Sequence, residues 1–374
     1  MKIGIPKETR EGETRVAASP EILKKLVKRG IEVVLERGAG MAAGFNDEDY
    51  IAEGIMISDR QGAFASDIVL KVWRPDPSDI PLFKSGSALL CSLEPHTSGD
   101  MISSLAKAGV NAFVMEWIPR TSRAQSMDVL SSQANIAGYR AVLEGASQYG
   151  RFLPLMMTSA GSAKAAKVTI LGVGVAGLQA IATAKRLGAL VQAYDVRSET
   201  KEQVQSLGAK FIEVDIGEEG AGTGGYAKEL SEEAKKKLQA GLNEVLKKSD
   251  IIITTANVPG RKAPTLISEE VVRGMRRGSV IVDMAAPSGG NCVLTELGKT
   301  VEKYGVKIIG LTNFPALVPT DSSSFYGKNL ANLLALMIID QEGKPTFQID
   351  LKDDILDAAL VTYQGAVRKT APVR

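Results

Sequence analysis

The chain has 374 residues, 44% hydrophobic and 24% charged, the balance of a globular protein long enough for two domains with a sizeable core. Its 45 basic side chains against 43 acidic ones leave a net charge of +2. No Lys/Arg cluster interleaves with aromatics, so nucleic acid is not expected as a partner. Cys91 and Cys292 lie far apart and point to reduced thiols in a cytoplasm, and a single histidine, His96, nearly excludes a His-based metal site.

The first third alternates short β-rich runs with helical stretches. Candidate strands are Lys2–Ile5, Ile31–Glu36, Ile68–Trp73, Ala88–Ser92 and Asn111–Glu116. Ser19-Pro20-Glu21 opens a helix with a cap-like serine and proline at the first helical position. This alternation implies a mostly parallel sheet covered on both faces. Ser131–Tyr149 then reads as a long helix, and the small residues of Ser159–Ala166 lead into a strand at Lys167–Leu171. Further on come a helix at Leu178–Leu187, a strand at Leu190–Tyr194, a helix at Glu199–Leu207 and a strand at Lys210–Val214. A helix over Tyr226–Lys248 and strands Ile251–Thr255, Ser279–Asp283 and Val306–Leu311 complete a second, six-stranded sheet. A last amphipathic helix, Phe325–Ile339, precedes a short polar tail.

The fold class expected is α/β, with two Rossmann-like, doubly wound parallel-sheet domains linked by long helices and a cleft between them. Residues 132–318 hold a complete doubly wound unit, and the helix near Phe325 returns to the first domain. That domain, 1–131 plus 319–374, is therefore discontinuous. The longest apolar stretch, Leu333–Ile339, is far too short to cross a bilayer, and no signal-like start precedes the first strand.

The chemistry concentrates in Gly172-Val173-Gly174-Val175-Ala176-Gly177, between a strand and a helix, with Asp195 ending the next strand. Gly172 suits a tight turn, Gly174 a close backbone approach to a pyrophosphate, and Gly177 close helix–strand packing. The pyrophosphate would rest on unpaired N–H groups at the helix start. Strand, glycines, helix, strand and acid in this order specify a dinucleotide site. A carboxylate there accepts from a ribose hydroxyl and repels a 2′-phosphate, which favours NAD over NADP. Arg197 leaves alternatives open: it faces a 2′-phosphate, stacks on the adenine or lies on the surface.

Three other stretches carry unusual composition. Ile216–Gly225 has five glycines and two acids ahead of Tyr226, either a surface connection or a lid with an aromatic tip. Arg120–Ser131 (RTSRAQSMDVLS) gathers two guanidiniums, an amide, a carboxylate and hydroxyls. An Arg–Asp pair there could stiffen the loop and leave Gln125 free to orient a ligand carboxamide, or the segment is a solvated helix entry. Pro6–Ala17 is a charged turn beyond the first strand, at a cleft mouth or in solvent.

The Pro6–Pro20 opening, Arg120–Ser131, GVGVAGLQAIATAKRLGA (172–189) and Gly224-Gly225-Tyr226-Ala227-Lys228 together resemble the alanine dehydrogenase and proton-translocating transhydrogenase superfamily. RTSRAQSMDVLSSQ and GGYAKE resemble the NAD(H)-binding component of the transhydrogenases in particular. The resemblance implies that Arg120, Gln125 and Asp128 contact the nicotinamide with Ser131 nearby, Asp128 fixing Arg120, and that Tyr226 closes a mobile loop. Cofactor contacts are expected from Gly172, Val173, Gly174, Val175, Ala176, Gly177, Asp195, Val196, Arg197, Gly225, Ala256 and Asn257. It further implies NADP(H) on a partner subunit, membrane-spanning subunits that carry the protons, a homodimer, and a peripheral place on the cytoplasmic face of the inner membrane.

The alanine-type branch remains as an alternative, and a non-enzymatic NAD-sensing module as another. Alanine dehydrogenases hold a substrate carboxylate with an arginine and a lysine, which Arg15 and Lys71 match. They also need a histidine where this chain has Glu94, two residues before His96, and an aspartate where it has Pro287. Proline offers no carboxylate for acid–base work.

Overall fold

A computed structural model describes residues 1–214, 231–257 and 261–369. The chain divides into two compact units, Met1–Gln133 with Pro315–Arg374, and Ala134–Phe314.

In the first unit, β1 (Lys2–Ile5), β2 (Glu32–Glu36), β3 (Met56–Ser58), β4 (Ile68–Trp73), β5 (Ala88–Ser92) and β6 (Asn111–Val114) form one sheet in the order β3-β2-β1-β4-β5-β6. Every pairing is parallel. Runs such as Ile68-Val69-Leu70 and Ala88-Leu89-Leu90-Cys91 are buried throughout, as a sheet covered on both faces requires. β3 is absent from the sequence reading. It is three residues long and none is fully buried, so its short Ile55-Met56-Ile57 run does not stand out as a buried strand. The serine before Pro20 stands at the N-cap of the Pro20–Val27 helix, but its hydroxyl makes no capping bond and is buried without a partner among the described residues.

The helix expected from Phe325 begins at Pro319 and ends at Ala335. Its opening, PTDSSS, reads as loop because serines favour turns, yet each of the three hydroxyls finds a backbone acceptor. Ser323 Oγ also accepts the Val16 N–H at 3.0 Å. Tyr326, Leu330, Leu333 and Leu334 enter the core of the first unit, where the Tyr326 hydroxyl donates to the carbonyls of Lys71 and Val72. The polar tail also folds: the Ile338–Gln341 and Lys344–Phe347 hairpin, a helix at Asp354–Ala359 and a small hairpin follow. Leu360 makes a β-bridge to Phe113 that ties this tail to β6.

The second unit opens with most of the Val129–Gln148 helix, from Ala134 on, and an antiparallel hairpin, β7 (Met156–Thr158) with β8 (Gly161–Ala163). The sequence reading treats that stretch as a plain connection. The sheet contains β9 (Lys167–Leu171), β10 (Leu190–Tyr194), β11 (Lys210–Phe211), β12 (Ile251–Thr254), β13 (Val280–Asp283), β14 (Thr300–Lys303) and β15 (Val306–Ile309). Their order is β11-β10-β9-β12-β13-β15-β14, with only the β14–β15 pairing antiparallel. The sheet thus has seven strands rather than six. β14, TVEK, is a charged edge strand that alternates exposed and half-buried residues. β9, β12 and β13 supply the apolar centre, and the Val175–Arg186 helix packs Ala180, Ile181 and Ala184 against it.

Candidate cofactor site

In the second unit the strand order runs outward from β9 to β10 on one side and from β9 to β12 on the other. The crevice outside the carboxyl ends of β9 and β12 is therefore the topological switch point, where doubly wound sheets bind ligands. The glycine turn stands there. Gly172 has φ +94°, and a Cβ on it would lie 2.6 Å from Thr255 Oγ1 and 3.0 Å from the Ala256 nitrogen. A Cβ on Gly177 would lie 2.0 Å from the Gly172 carbonyl oxygen, so only glycine lets the helix approach this closely. A Cβ on Gly174 would meet nothing within 4 Å among the described residues. Gly174 is the N-cap of the Val175–Arg186 helix, and no side chain caps it. The helix therefore starts about one turn earlier than the apolar run suggests, and a helix start without a side-chain cap favours an anion. Gly138, which the sequence reading passes over, lets the Val129–Gln148 helix approach the Ala176 carbonyl, since a Cβ there would sit 2.1 Å from that oxygen.

Asp195 follows β10 and is buried. Its Oδ2 accepts the Val173 N–H at 2.7 Å and Arg197 Nη2 at 3.0 Å. Its Oδ1 accepts the Arg197 N–H and Arg197 Nε, both at 2.9 Å. Burial pushes the carboxyl up, but the Arg197 guanidinium and the two backbone N–H groups outweigh it and hold it below the usual aspartate range. Arg197, half exposed, thus clamps Asp195, where the sequence reading leaves it facing a phosphate, stacking on adenine or lying free. Val173 is buried beneath the turn, while Val175 and Val196 are exposed.

Ala256 and Asn257 follow β12 beside the turn, where Thr255 Oγ1 donates to the Gly172 carbonyl at 2.9 Å. Thr255 is a contact the sequence reading misses. Gly225, Tyr226 and the glycine-rich Ile216–Gly225 loop lie outside the described residues.

Arg120, Gln125, Asp128 and Ser131 belong to the first unit. Asp128 does not pair with Arg120. Its Oδ1 accepts the Ser131 N–H at 2.9 Å and its Oδ2 accepts the Ser131 hydroxyl at 2.6 Å. The Val129–Gln148 helix has orphan N–H groups at its start, and the carboxylate of Asp128 satisfies one of them. The guanidinium that stiffens this loop is Arg123, bound to both carboxylate oxygens of Asp353 at 2.7 and 2.9 Å and to Asp354. Arg120 and Gln125 are left exposed.

Arg15 and Lys71, the pair that could grip a substrate carboxylate, are both buried and already paired. Lys71 Nζ donates to Glu8 Oε2 at 3.1 Å. Arg15 donates to Glu13 through Nε at 2.8 Å and Nη2 at 2.6 Å, and to Gln133 through Nη1 at 2.8 Å. Glu94 adopts φ +50° and pairs with Arg10, and His96 is exposed. Pro287 lies in a short 3-10 turn, Ala286–Ser288, with no ionisable group in its place.

Comparison with known proteins adds to this geometry. Residues 4–137 match the family model of the alanine dehydrogenase/PNT N-terminal domain, and residues 141–370 that of the C-terminal domain. The chain is 50% identical over 378 residues to an NAD(P) transhydrogenase subunit alpha chain of Rhodospirillum rubrum, covering 98% of this chain and 97% of that one. It is 30% identical over 387 residues to alanine dehydrogenase of Bacillus subtilis, covering 100% and 94%. Among solved structures, transhydrogenase from Sinorhizobium meliloti superimposes with a TM-score of 0.90 at 43% identity, over 98% of this chain and 100% of that one.

Proposed function

Since the chain belongs to the alanine dehydrogenase/PNT family, matched across both of that family's domains, we propose that it is the NAD(H)-binding subunit of a proton-translocating transhydrogenase. Hydride passes directly between NADH held here and NADP⁺ held on a partner subunit, and membrane-spanning subunits carry the protons. The carrying observation is the cradle of the second unit: an uncapped helix start beside open space at Gly174, with an ionised Asp195 at the next strand end. The 50% identity to a transhydrogenase subunit, against 30% to an alanine dehydrogenase, favours this branch of the family.

The chemistry asks little of the protein beyond orientation. A dihydronicotinamide supplies the hydride itself, so no general acid or base is needed. The helix start at Gly174 would hold the pyrophosphate and Asp195 the adenosine ribose. Arg120 and Gln125, whose polar groups are exposed, are assigned to the nicotinamide carboxamide, with Asp128 and Ser131 fixing the helix start behind them. Tyr226 and Gly225 are assigned to the closing loop. Orientation of this kind brings the reacting atoms to near-attack distance, which by itself can remove about 7–11 kcal/mol of the barrier.

Proline at 287 and the internal pairing of Arg15 and Lys71 speak against amine–imine chemistry on pyruvate. A homodimer fits the β7–β8 hairpin with the residues leading into it (an arm of residues 152–163), where Phe152, Leu155 and Met157 are 56%, 59% and 76% exposed. No helix among the described residues is long and apolar enough to cross a membrane. The peripheral place on a membrane complex rests on the identity to transhydrogenase subunits. The test is to mix the purified protein with NADH and a separate NADP(H)-binding component. Hydride exchange between the two nucleotides is expected. Turnover of pyruvate, ammonia and NADH instead, lost in Lys71→Ala, would overturn the assignment.

A further inference from the structure

The loops that follow β12 and β13 are joined by one buried side chain that the cofactor reading does not use. Asn291, fully buried, donates through Nδ2 to the Ala256 carbonyl and to the Pro264 carbonyl, both at 2.8 Å. Both neighbours are acceptors only, so the amide must present its nitrogen to them. Its Oδ1 is consequently left buried without a partner among the described residues. An orphaned buried acceptor is costly, and its persistence implies that the two donated bonds matter more. The Asn291 backbone continues the link, since its carbonyl accepts the N–H groups of Leu266 and Ile267 at 2.8 and 2.9 Å.

Asp283, at the end of β13 and fully buried, holds Asn291 in turn. Its Oδ2 accepts the N–H of Asn291 at 2.8 Å, the N–H of Cys292 at 3.0 Å and the Thr295 hydroxyl at 2.6 Å. Its Oδ1 accepts the Thr254 hydroxyl at 2.9 Å and the Ala285 N–H at 3.1 Å. Five donors converge on one carboxylate, which locks the loop after β13 to the end of β12. From Ala256 the chain of contacts reaches the glycine turn through Thr255, whose hydroxyl donates to Gly172.

We infer that Asn291, held by Asp283, is a positioning residue that sets the Ala256 end of the loop after β12 against the glycine turn, and so tunes affinity for the nicotinamide half of the cofactor. The inference rests on the NAD(H) reading of the cradle and deepens it. In a sheet of this order the adenosine half lies toward β10, where Asp195 stands, and the other half lies toward β12 and β13. A displaced Ala256 should therefore weaken binding of the whole dinucleotide and spare a ligand that ends at the pyrophosphate.

Calorimetric titration of the full chain with NADH and with ADP tests this in Asn291→Asp and Asn291→Ser. The aspartate is isosteric but turns a carboxylate oxygen on two carbonyls, whereas the serine keeps one donor. NADH affinity is expected to fall at least tenfold in Asn291→Asp and by less in Asn291→Ser, with ADP affinity within twofold of the unaltered protein in both. A parallel fall for NADH and ADP would show a merely structural residue, and unchanged NADH affinity would show none of the proposed influence. Either result overturns the inference while leaving the cofactor reading intact. Failure of the unaltered protein to take up NADH would overturn that reading itself, and this inference with it.

Discussion

Replacing Asp195 by asparagine should change which nucleotide the cradle accepts. The carboxylate accepts four N–H groups, two on each oxygen. An amide offers one acceptor oxygen and turns an NH₂ toward donors on the other side, so two of those bonds are lost. Each charge-assisted bond contributes about 1.5–3 kcal/mol when buried. Arg197 is half exposed, so the loss should be roughly 2–3 kcal/mol in all, and binding must be measured well below the melting point. The selectivity follows from Coulomb repulsion. Two unit charges about 4 Å apart repel by about 4 kcal/mol at an effective dielectric near 20. Solvent and the Arg197 guanidinium reduce this to roughly 1.5–2.5 kcal/mol, a preference of about tenfold to sixtyfold for NADH over NADPH. Fluorescence titration of both nucleotides should show that ratio in the unaltered protein and its collapse toward unity in Asp195→Asn. Arg197→Ala should widen it, because the carboxylate loses its cation and a 2′-phosphate loses a nearby partner. Tighter uptake of NADPH by the unaltered protein, or an unchanged ratio in Asp195→Asn, would refute the reasoning.

Other perturbations have equally definite outcomes. Gly174→Ala, facing open space, should keep the melting temperature within about 2 °C yet weaken NADH at least tenfold, since the methyl occupies the pyrophosphate's approach. Gly177→Ala, with its Cβ 2.0 Å from a carbonyl oxygen, should cost about 3 kcal/mol and lower the melting temperature by roughly 6–12 °C in calorimetry. The Asp195 carboxyl is depressed in the folded state, so the stability of its pair is fully present above about pH 4 and lost as pH falls through the folded value. Melts from pH 7 to pH 3 should fall less steeply below pH 4 in Asp195→Asn than in the unaltered protein. Met157→Glu, at the most exposed apolar position of the β7–β8 arm, should convert a dimer to a monomer in light scattering without loss of NADH binding. An unaltered mass, or a monomer already in the unaltered protein, would remove the arm as the dimer contact.

Much of the fold is legible in the amino-acid order because parallel strands buried on both faces leave continuous apolar runs. Ile68–Trp73, Ala88–Ser92 and Lys167–Leu171 stand where those runs place them, and Leu190–Tyr194, with alternating burial, keeps its predicted bounds as well. The elements that escape such a reading are those whose stability comes from elsewhere. β3 and the charged edge β14 have no buried run of their own, and the serines opening the Pro319–Ala335 helix read as turn until their hydroxyls meet backbone carbonyls.

The candidate site divides in the same way. Glycine spacing, a strand on either side and an acid at the next strand end are local features, and backbone sterics at Gly172 and Gly177 make them decisive in one dimension. Which partner each charge takes is not local. Asp128 bonds within three residues along the chain, but Asp195 also takes the Val173 N–H 22 residues back, Arg123 reaches Asp353 some 230 residues away, and Lys71 finds Glu8. Asn291 joins two loops whose nearness depends on β12 and β13 lying side by side. Hydrogen bonds and ion pairs act over about 3 Å of space whatever the separation in sequence, so order alone located the candidate glycine turn and its acid, and only the folded chain decided which side chains hold them in shape.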